Sequence, residues 1–405
     1  MDPVTQSVQQ MYEQYPYPSG LPNMTAGFDI RLLLSYVEQG PRHSRPYHVL
    51  EAGCGRGPAV LAAATLQPEV TFTAIDINTV GLKEASLNAE QRGLNNLTFR
   101  QADLMDLTDI TVPEGGFDVI HSAGVLHHTA DPQLGLNNLA EILAPHGVMS
   151  IMLYGTYGRQ ALYRLIDCID ILSPRQTPIS ERIAPGRLLA EAAEDSLFKN
   201  NYWSSTHLNR DVEFVDTCLN VKETSFDVAG LWQFIENAGM KFVRWVEPDV
   251  WSVDKRIKNP ELRARLKALS EFEQYQIIER LFEIPKLEFI LCKNTNQPRA
   301  PIAAAAIEAS EFAVNPEVSF QVTKRNLNNA QRIESVTYKV RGREAVMETD
   351  PILGAVFLLL SEQSSHFSGA DMLSVLEQHG ASREHAYELI DSLLQKEVIF
   401  IPHRT

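Results

Sequence analysis

Short β-rich runs alternate with longer amphipathic stretches between residues 48 and 155. This alternation is typical of a parallel sheet covered by helices, and it excludes an all-β or all-helical domain here. The predicted strands span residues 48–53, 70–77, 97–103, 117–124 and 147–155. The predicted helices between them span residues 58–67, 80–93 and 132–143. An α/β fold is therefore the first expectation.

The rest of the chain departs from this alternation. Residues 156–230 are helical and polar, and they are too long for a crossover loop, so they are expected to form a helical cap over one end of the sheet. Two further strands, 241–248 and 286–294, are expected to pair antiparallel at the sheet edge. An alanine run follows a proline-rich turn at 298–310, and this patch marks the main domain boundary.

The last part of the chain has a third pattern. Hairpin-like strands precede three helical patterns, two of which begin with Ser368 and Ser382 as N-caps. This arrangement resembles a winged-helix-like α+β domain, a module that more often mediates packing, dimerisation or partner recognition than chemistry. The expected division is an N-terminal flap and first helix at 1–47, a sheet domain at 48–294, a linker at 295–312 and an accessory domain at 313–405.

The composition of the chain disfavours several classes of binding partner. The chain carries 36 Lys+Arg against 51 Asp+Glu, a formal net charge of −15. Nucleic-acid binders gain most of their affinity by neutralising phosphates, so DNA, RNA and anionic membranes are disfavoured. Four scattered cysteines fit a reducing compartment and give no disulfide framework or metal-ligand spacing, so no metal site is predicted. No apolar run reaches the roughly 18 residues of a membrane span, and a soluble, cytoplasmic protein is expected.

A glycine-rich loop joins the first strand to the first helix. Gly53, Gly55 and Gly57 permit a tight turn and let a ligand approach the backbone closely. Asp76 ends the second strand, where a carboxylate can accept both ribose hydroxyls of a nucleoside. Asp103 follows the third strand and is well placed to accept a hydrogen bond from an adenine amino group. The Gly-x-Gly-x-Gly spacing differs from that of dinucleotide loops, so the sequence predicts another nucleoside-bearing cofactor.

Four motifs stand in one order: VLEAGCGRG, AIDI, QADL and FDVIHSAGVLHHTADP. With them the chain resembles the class I S-adenosylmethionine-dependent methyltransferases over roughly residues 10–294. The resemblance implies a Rossmann-like methyltransferase sheet with helical insertions and S-adenosylmethionine as cofactor. It implies that the three glycines wrap the methionine part, that Asp76 holds the ribose, and that Asp103 and Leu104 face the adenine. The expected cofactor contacts are Glu51, Gly53, Cys54, Gly55, Gly57, Asp76, Ile77, Asp103, Leu104 and Ser122.

The chemistry is expected near the ends of the fourth and fifth strands. Methyl transfer is an in-line displacement from a sulfonium, so the enzyme aligns the acceptor and, where needed, removes its proton. His127 and His128 follow the fourth strand at the edge that faces the ligand crevice, and either is a candidate general base or only shapes the loop. Tyr154 and Arg159 are aimed at the same crevice. Arg159 either holds an acceptor carboxylate or forms a salt bridge to the insertion.

Aromatic residues mark two further candidate regions. The segment 11–22 holds three tyrosines and three prolines, too irregular for a helix, and is expected to form a semi-rigid flap over the cofactor. Tyr12, Tyr15 and Tyr17 would exclude water and contact the methionine carboxylate or the acceptor, with surface packing as the alternative. In the insertion, Tyr202 and His207 are candidate acceptor contacts.

These features predict an S-adenosylmethionine-dependent N- or O-methyltransferase whose small-molecule acceptor is enclosed by the flap and the insertion. One alternative is a protein side-chain N-methyltransferase, for Lys, Asn or a similar residue, that recognises its substrate through the C-terminal domain. Another is a non-catalytic S-adenosylmethionine-binding regulator. Nucleic-acid methylation is disfavoured because no Asn-Pro-Pro-Tyr-type motif follows the fourth strand. A homodimer is among the expected assemblies.

Overall fold

The computed structural model describes most of the chain and divides it into two compact units. One unit comprises residues 1–28 and 44–297, and the other comprises residues 29–43 and 298–405. The described residues are 2–19, 28–38, 45–193, 208–300, 302–316, 318–327, 330–340, 343–348, 352, 356, 360 and 366–402.

A seven-stranded sheet forms the centre of the first unit. Its strands are β1 (His48–Ala52), β2 (Thr71–Asp76), β3 (Leu97–Gln101), β4 (Phe117–Ala123), β5 (Leu143–Tyr154), β6 (Met240–Trp245) and β7 (Lys286–Lys293). The order is β3-β2-β1-β4-β5-β7-β6. The first five strands are parallel, and β7 is antiparallel to both β5 and β6. The predicted Rossmann-like sheet and its antiparallel edge are confirmed.

The central strands are buried because they are nearly continuous apolar runs, as expected for strands covered on both faces. Leu50 in β1, Ile120 in β4 and Phe289 in β7 are all fully buried in one hydrophobic cluster. The strand order reverses between β1 and β4, so the loops that follow these two strands diverge and open a crevice at their carboxyl ends. The sheet therefore fixes where a ligand can bind.

Helices follow the strands and fill the insertions. The helices that connect the strands are Pro58–Leu66, Thr79–Gln91, Pro132–Ile142 and Val228–Asn237. The first insertion contains Gln160–Leu172, Ile179–Ala192 and Asp211–Cys218, and the second contains Pro248–Trp251, Val253–Arg256, Pro260–Lys267 and Glu271–Leu281. Short 3-10 turns lie at Leu126–His128 and Tyr157–Arg159.

The N-terminal segment begins as a regular helix, Pro3–Gln14, capped by Asp2. The expectation that the chain is irregular from residue 11 is therefore wrong for its first four residues. The helix ends before Pro16 because a proline disfavours the helical conformation of the residue before it. Met11 on this helix packs with Leu165 and Phe214 of the first insertion in a second hydrophobic cluster.

The second unit combines short helices with two small sheets. Its strands are β8 (Glu311–Val314), β9 (Val318–Leu327), β10 (Ala330–Val340), β11 (Arg343–Glu348), β12 (Phe367–Ser368) and β13 (Ile399–Phe400). Its helices are Ile30–Leu34, Ala304–Ile307, Gly369–Gln378 and Arg383–Gln395. The sheet orders are β11-β10-β9 and β12-β8-β13.

The predictions for this unit have different outcomes. Ser368 and Ser382 cap the last two helices, as predicted, by accepting backbone hydrogen bonds. Residues 29–43, expected in the N-terminal region, belong to this unit. One reason is an isolated antiparallel β-bridge between Val37 and Pro298, which no local sequence pattern predicts. The first of the three predicted helices, over 350–363, lies largely outside the described residues. The winged-helix-like character of the unit stays a prediction.

Three further observations concern the described residues as a set. None of their helices is long and apolar enough to cross a membrane. They contain no group of three or more metal-ligating side chains. The four cysteines, Cys54, Cys168, Cys218 and Cys292, are all free.

Candidate functional site

The glycine loop after β1 is held in a tight conformation by the backbone. Gly53 has a φ of +86°, and a Cβ there would lie 2.3 Å from a methyl carbon of Val125, so only glycine fits. The N–H groups of Gly53 and Cys54 both donate to the carbonyl of Ile75, at 2.8 and 2.9 Å. Gly57 is the N-cap of the following helix. The loop is therefore fixed against the end of β2.

Asp76 connects this loop to the end of β2. Its Oδ2 accepts a hydrogen bond from the Gly55 N–H at 2.6 Å, and its Oδ1 accepts one from the Asn78 N–H at 2.7 Å. Burial raises the pKa of Asp76, and these backbone donors oppose the rise. Each carboxylate oxygen has a second lone pair, so both remain able to accept a hydroxyl. This arrangement fits the two hydroxyls of a ribose.

Glu51 in β1 is paired with a residue that sequence reasoning missed, His121 in β4. The two residues are register partners on adjacent parallel strands, so their side chains share a face. The carboxylate oxygens of Glu51 lie 3.0 and 2.9 Å from His121 Nδ1, and the imidazole stacks on Phe28. Burial lowers the pKa of His121, but the charge and hydrogen bond of Glu51 outweigh it, and the net shift is upward. Only its place in the FDVIHSAG motif could have signalled it.

A cavity of about 390 Å³ opens at the carboxyl ends of the parallel strands. Its volume lies within the range of about 300–1,000 Å³ that is usual for small-molecule sites. The predicted residues that line it are Tyr12, Tyr17, Glu51, Gly53, Cys54, Gly55, Asp76, Ile77, Asp103, Leu104, His128 and Tyr154. Unpredicted lining residues include Asn78, His121, Val125 and Asp216. The structure thus brings predicted residues between Tyr12 and Tyr154 into one cavity.

Several predicted residues that the structure describes do not line this cavity. The Ser122 hydroxyl donates to the Ala52 carbonyl at 2.9 Å, so it ties β4 to β1. Tyr15 packs against the cluster shared by the N-terminal helix and the first insertion. Gly57 serves as a helix cap, as described above. Tyr202 and His207 lie outside the described residues.

The two adjacent histidines have different environments. His127 is fully buried, and neither ring nitrogen has a hydrogen-bond partner among the described residues. Its ring stacks on Tyr154 with the centroids 3.9 Å apart. His128 lines the cavity, and its Nδ1 lies 2.7 Å from the Lys222 carbonyl. A carbonyl only accepts, so Nδ1 carries the proton and Nε2 keeps a lone pair. Burial lowers the pKa of His128 to about 4, so its ring is neutral at pH 7.

Arg159 does not line the cavity. It is fully buried, and its guanidinium makes two hydrogen bonds of 2.9 and 2.8 Å to Glu223 of the first insertion. Glu223 also accepts a hydrogen bond from Tyr163 at 2.7 Å. The guanidinium carbon lies 3.5 Å from the centre of the Tyr154 ring. Arg159 thus forms an ion pair within the insertion, and the Tyr154 ring contacts both its guanidinium and the His127 ring.

Asp216 is a buried carboxylate on the helix Asp211–Cys218, and it is only 6% exposed. Its Oδ1 accepts a hydrogen bond from the Tyr12 hydroxyl at 2.8 Å, and that hydroxyl accepts one from Asn220 at 3.1 Å. Burial raises the pKa of Asp216 to about 7. Sequence reasoning missed it because no motif surrounds it and its partner Tyr12 lies 204 residues away.

Comparisons with known proteins agree with this geometry. The methyltransferase domain family matches residues 43–177. An uncharacterized protein of Synechococcus sp. is 30% identical over 311 residues, which cover 72% of this chain and 73% of that protein. The ubiquinone biosynthesis O-methyltransferase of Psychrobacter arcticus is 32% identical over 128 residues, which cover 29% of this chain and 49% of that enzyme. The solved structure of PKMT2 from Rickettsia typhi in complex with AdoHcy has a similar fold, with a TM-score of 0.66 at 15% identity over 96% of this chain and 78% of that one.

The sheet order, the glycine loop and the acids at the ends of β1 and β2 define an α/β enzyme that binds a nucleoside cofactor. Together with the matches above, they show that the chain belongs to the class I S-adenosylmethionine-dependent methyltransferases. The resemblance found in the sequence is confirmed, and S-adenosylmethionine is the cofactor. When bound, it supplies a methyl group on a sulfonium. We call the part of the cavity lined by Glu51, Gly53, Gly55, Asp76 and Asp103 the cofactor end, because these residues are ones from which the sequence predicts cofactor contacts.

Proposed function

We propose that this methyltransferase acts on a nitrogen or oxygen atom of a small acceptor. The acceptor would bind where Tyr12, His128, Tyr154 and Asp216 line the cavity, and we call this part the acceptor end. The observation that carries the proposal is continuity: one cavity is lined by the cofactor end and by these four side chains together. An acceptor there would stand beside the methyl donor, as an in-line displacement requires.

Contacts of the N-terminal segment support an enclosed acceptor. Tyr12 reaches Asp216 of the first insertion, as described above, and its carbonyl accepts a hydrogen bond from Asn78 at 3.1 Å. The Pro18 carbonyl accepts one from Arg56 of the glycine loop at 2.7 Å. Ser19 donates its N–H to Glu213 of the insertion. The segment is therefore tied both to the cofactor loops and to the insertion, which favours a small acceptor held away from water.

The relatives offer support for two kinds of acceptor. The Psychrobacter arcticus enzyme is named for O-methylation in ubiquinone biosynthesis, which favours a small molecule. The fold likeness to PKMT2 extends over 96% of this chain and so reaches into the second unit. That extent supports a second candidate, N-methylation of a protein side chain such as Lys or Asn, with the second unit recognising the substrate. The matched part of the O-methyltransferase spans about half its length, so its substrate is not carried over.

A label-transfer experiment separates these candidates. The full chain would be incubated with S-adenosylmethionine labelled at the methyl carbon and with a lysate of the source cells, then separated by size. Once unreacted cofactor has been removed by chromatography, label is expected in another small molecule. Label found only in protein would overturn the proposal in favour of the second candidate. Asp76→Ala should abolish transfer to either fraction, whereas Asp109→Ala, at an exposed position, should not.

A further inference from the structure

We propose that the acceptor is a primary or secondary amine, and that Asp216 holds its ammonium group and takes its proton. This inference rests on the proposed function and specifies the acceptor for the same site. Asp216 is one of the residues that line the cavity.

Asp216 is a buried carboxylate whose hydrogen bonding is half complete. Tyr12 satisfies Oδ1, while none of the described residues donates a hydrogen bond to Oδ2. The described part of the chain also provides no lysine or arginine that forms an ion pair with it, although such pairs occur nearby, as between Arg159 and Glu223. An unpaired charge is costly to bury, so a carboxylate of this kind facing a cavity indicates a ligand that supplies a positive charge or a proton.

The charges around the acceptor end add to this argument. The guanidinium of Arg159 is neutralised by Glu223, and His127 and His128 are uncharged because burial lowers the pKa of both rings. The Glu213 carboxylate accepts a hydrogen bond from the Ser19 N–H, and Nη1 of Arg210 lies 3.8 Å from the same carboxylate. When Asp216 is ionised, it therefore gives this end a negative charge that has no ion-pair partner among the described residues. Such a site attracts an ammonium group and repels acceptors whose reacting group lies beside a carboxylate or phosphate.

Asp216 is also suited to the proton transfer that an amine requires. Only the neutral amine has the lone pair that attacks, so the ammonium must first lose a proton. Burial raises the pKa of Asp216 to about 7, whereas that of His128 is about 4, so Asp216 is the stronger base near neutral pH. The Tyr12 hydroxyl occupies Oδ1, which leaves Oδ2 to receive the proton.

The step balances in atoms and charge. The ammonium of the acceptor gives one proton to Asp216 Oδ2 and becomes a neutral amine. The nitrogen lone pair then forms a bond to the methyl carbon while the bond from that carbon to sulfur breaks, and its electron pair goes to sulfur. The products are a methylated ammonium and the neutral thioether. Asp216 afterwards releases its proton to water.

The named O-methyltransferase relative does not argue against an amine. Its match to this chain covers 128 residues, whereas Tyr12 and Asp216 are 204 residues apart in the sequence. The matched segment therefore cannot contain both members of the pair. The identity of the acceptor atom in that relative does not extend to the acceptor end of this chain.

A binding experiment tests the inference without knowledge of the natural acceptor. The full chain, saturated with S-adenosylhomocysteine, would be titrated with butylammonium and with 1-butanol, which share an alkyl chain and differ in charge. We expect butylammonium to bind roughly ten-fold more tightly than 1-butanol, since it alone can pair with a carboxylate. Asp216→Asn should remove that preference, and Asp211→Asn should keep it because Asp211 is exposed at the start of the same helix.

Equal binding of the two probes, or a preference that survives Asp216→Asn, would overturn the inference. Unchanged affinity of the variant for S-adenosylhomocysteine shows that it is folded. A second measurement keeps this result separate from the proposed function: the labelled small-molecule product should be retained on a cation exchanger at neutral pH. A labelled product that is distinct from the cofactor and passes through the exchanger would contradict the amine alone. The absence of any labelled small molecule other than the cofactor would contradict the proposed function itself.

Discussion

The cofactor end and the acceptor end of the cavity draw on different parts of the chain. The cofactor end comes from residues 51–104, which lie at or just beyond the ends of three adjacent parallel strands. Hydrogen bonds such as that from the Gly55 N–H to the Asp76 carboxylate join them. The acceptor end joins Tyr12 of the N-terminal helix, His128 and Tyr154 beside β4 and β5, and Asp216 of the insertion. The first end depends on the sheet, and the second depends on tertiary packing of inserted elements.

The largest effect should come from breaking the ion pair beneath the acceptor end. Arg159→Met leaves Glu223 without its buried partner, so we expect the free energy of unfolding to fall by about 3 kcal/mol or more. The measurement is urea unfolding of the full chain at pH 7. Replacing both residues, Arg159→Met with Glu223→Met, should cost less than the single change because no charge is left buried.

This experiment also decides between two roles for Arg159. A side chain that bound the acceptor would change the KM for that acceptor and leave stability unaltered. Such an outcome would contradict the structural role and would mean that the acceptor end reaches further toward the insertion than the cavity wall indicates.

At the cofactor end, Asp76→Ala should weaken binding of S-adenosylhomocysteine roughly 100-fold, or about 3 kcal/mol. The substitution removes the expected ribose acceptor and the group that holds the Gly55 and Asn78 backbone. Calorimetric titration measures it, with Asp109→Ala as the exposed control. Binding retained by Asp76→Ala would mean that the glycine loop alone forms the cofactor end.

Asp216 should make stability depend on pH in a direction opposite to that of an ordinary ion-paired carboxylate. Burial raises its pKa to about 7 in the folded chain against 3.8 for the ordinary group, so its contribution is fully present below about pH 4 and is lost as pH rises through 7. Asp216→Asn carries no charge, so relative to the native chain it should gain on the order of 2 kcal/mol between pH 5 and pH 8. Thermal unfolding at both pH values measures it, and a constant difference would contradict the raised pKa.

The amount that the sequence could predict differs between the two ends for a physical reason. The carboxyl ends of parallel strands meet at one edge of the sheet, so Glu51, Asp76 and Asp103 could be placed together from the strand pattern alone. The contact between Tyr12 and Asp216 depends on how the insertion packs against the N-terminal helix, through residues such as Phe214. No local periodicity encodes such a contact.

The N-terminal region contains one element that the sequence could have predicted and one that it could not. Asp2 before Pro3 is a strong start signal and Pro16 is a stop signal, so the helix Pro3–Gln14 was readable in the sequence. The irregular conformation that was predicted for 11–22 from its prolines and tyrosines applies only after residue 14, where the helix ends. The inclusion of residues 29–43 in the second unit was not readable, because it depends on pairing as distant as that of Val37 with Pro298.

The adjacent histidines give the most sensitive test of the comparison, because they share a 3-10 turn and differ only in where they face. His127→Phe replaces a ring without hydrogen-bond partners among the described residues by an apolar ring. We therefore expect turnover within about two-fold of the native value and a stability change below about 1 kcal/mol. His128→Phe removes the hydrogen bond to the Lys222 carbonyl and changes a residue that lines the acceptor end. Because alignment of the acceptor should suffer, turnover should fall roughly ten-fold while S-adenosylhomocysteine still binds. Steady-state kinetics compare the pair, and a larger loss for His127 than for His128 would place the acceptor end on the opposite side of the Tyr154 ring.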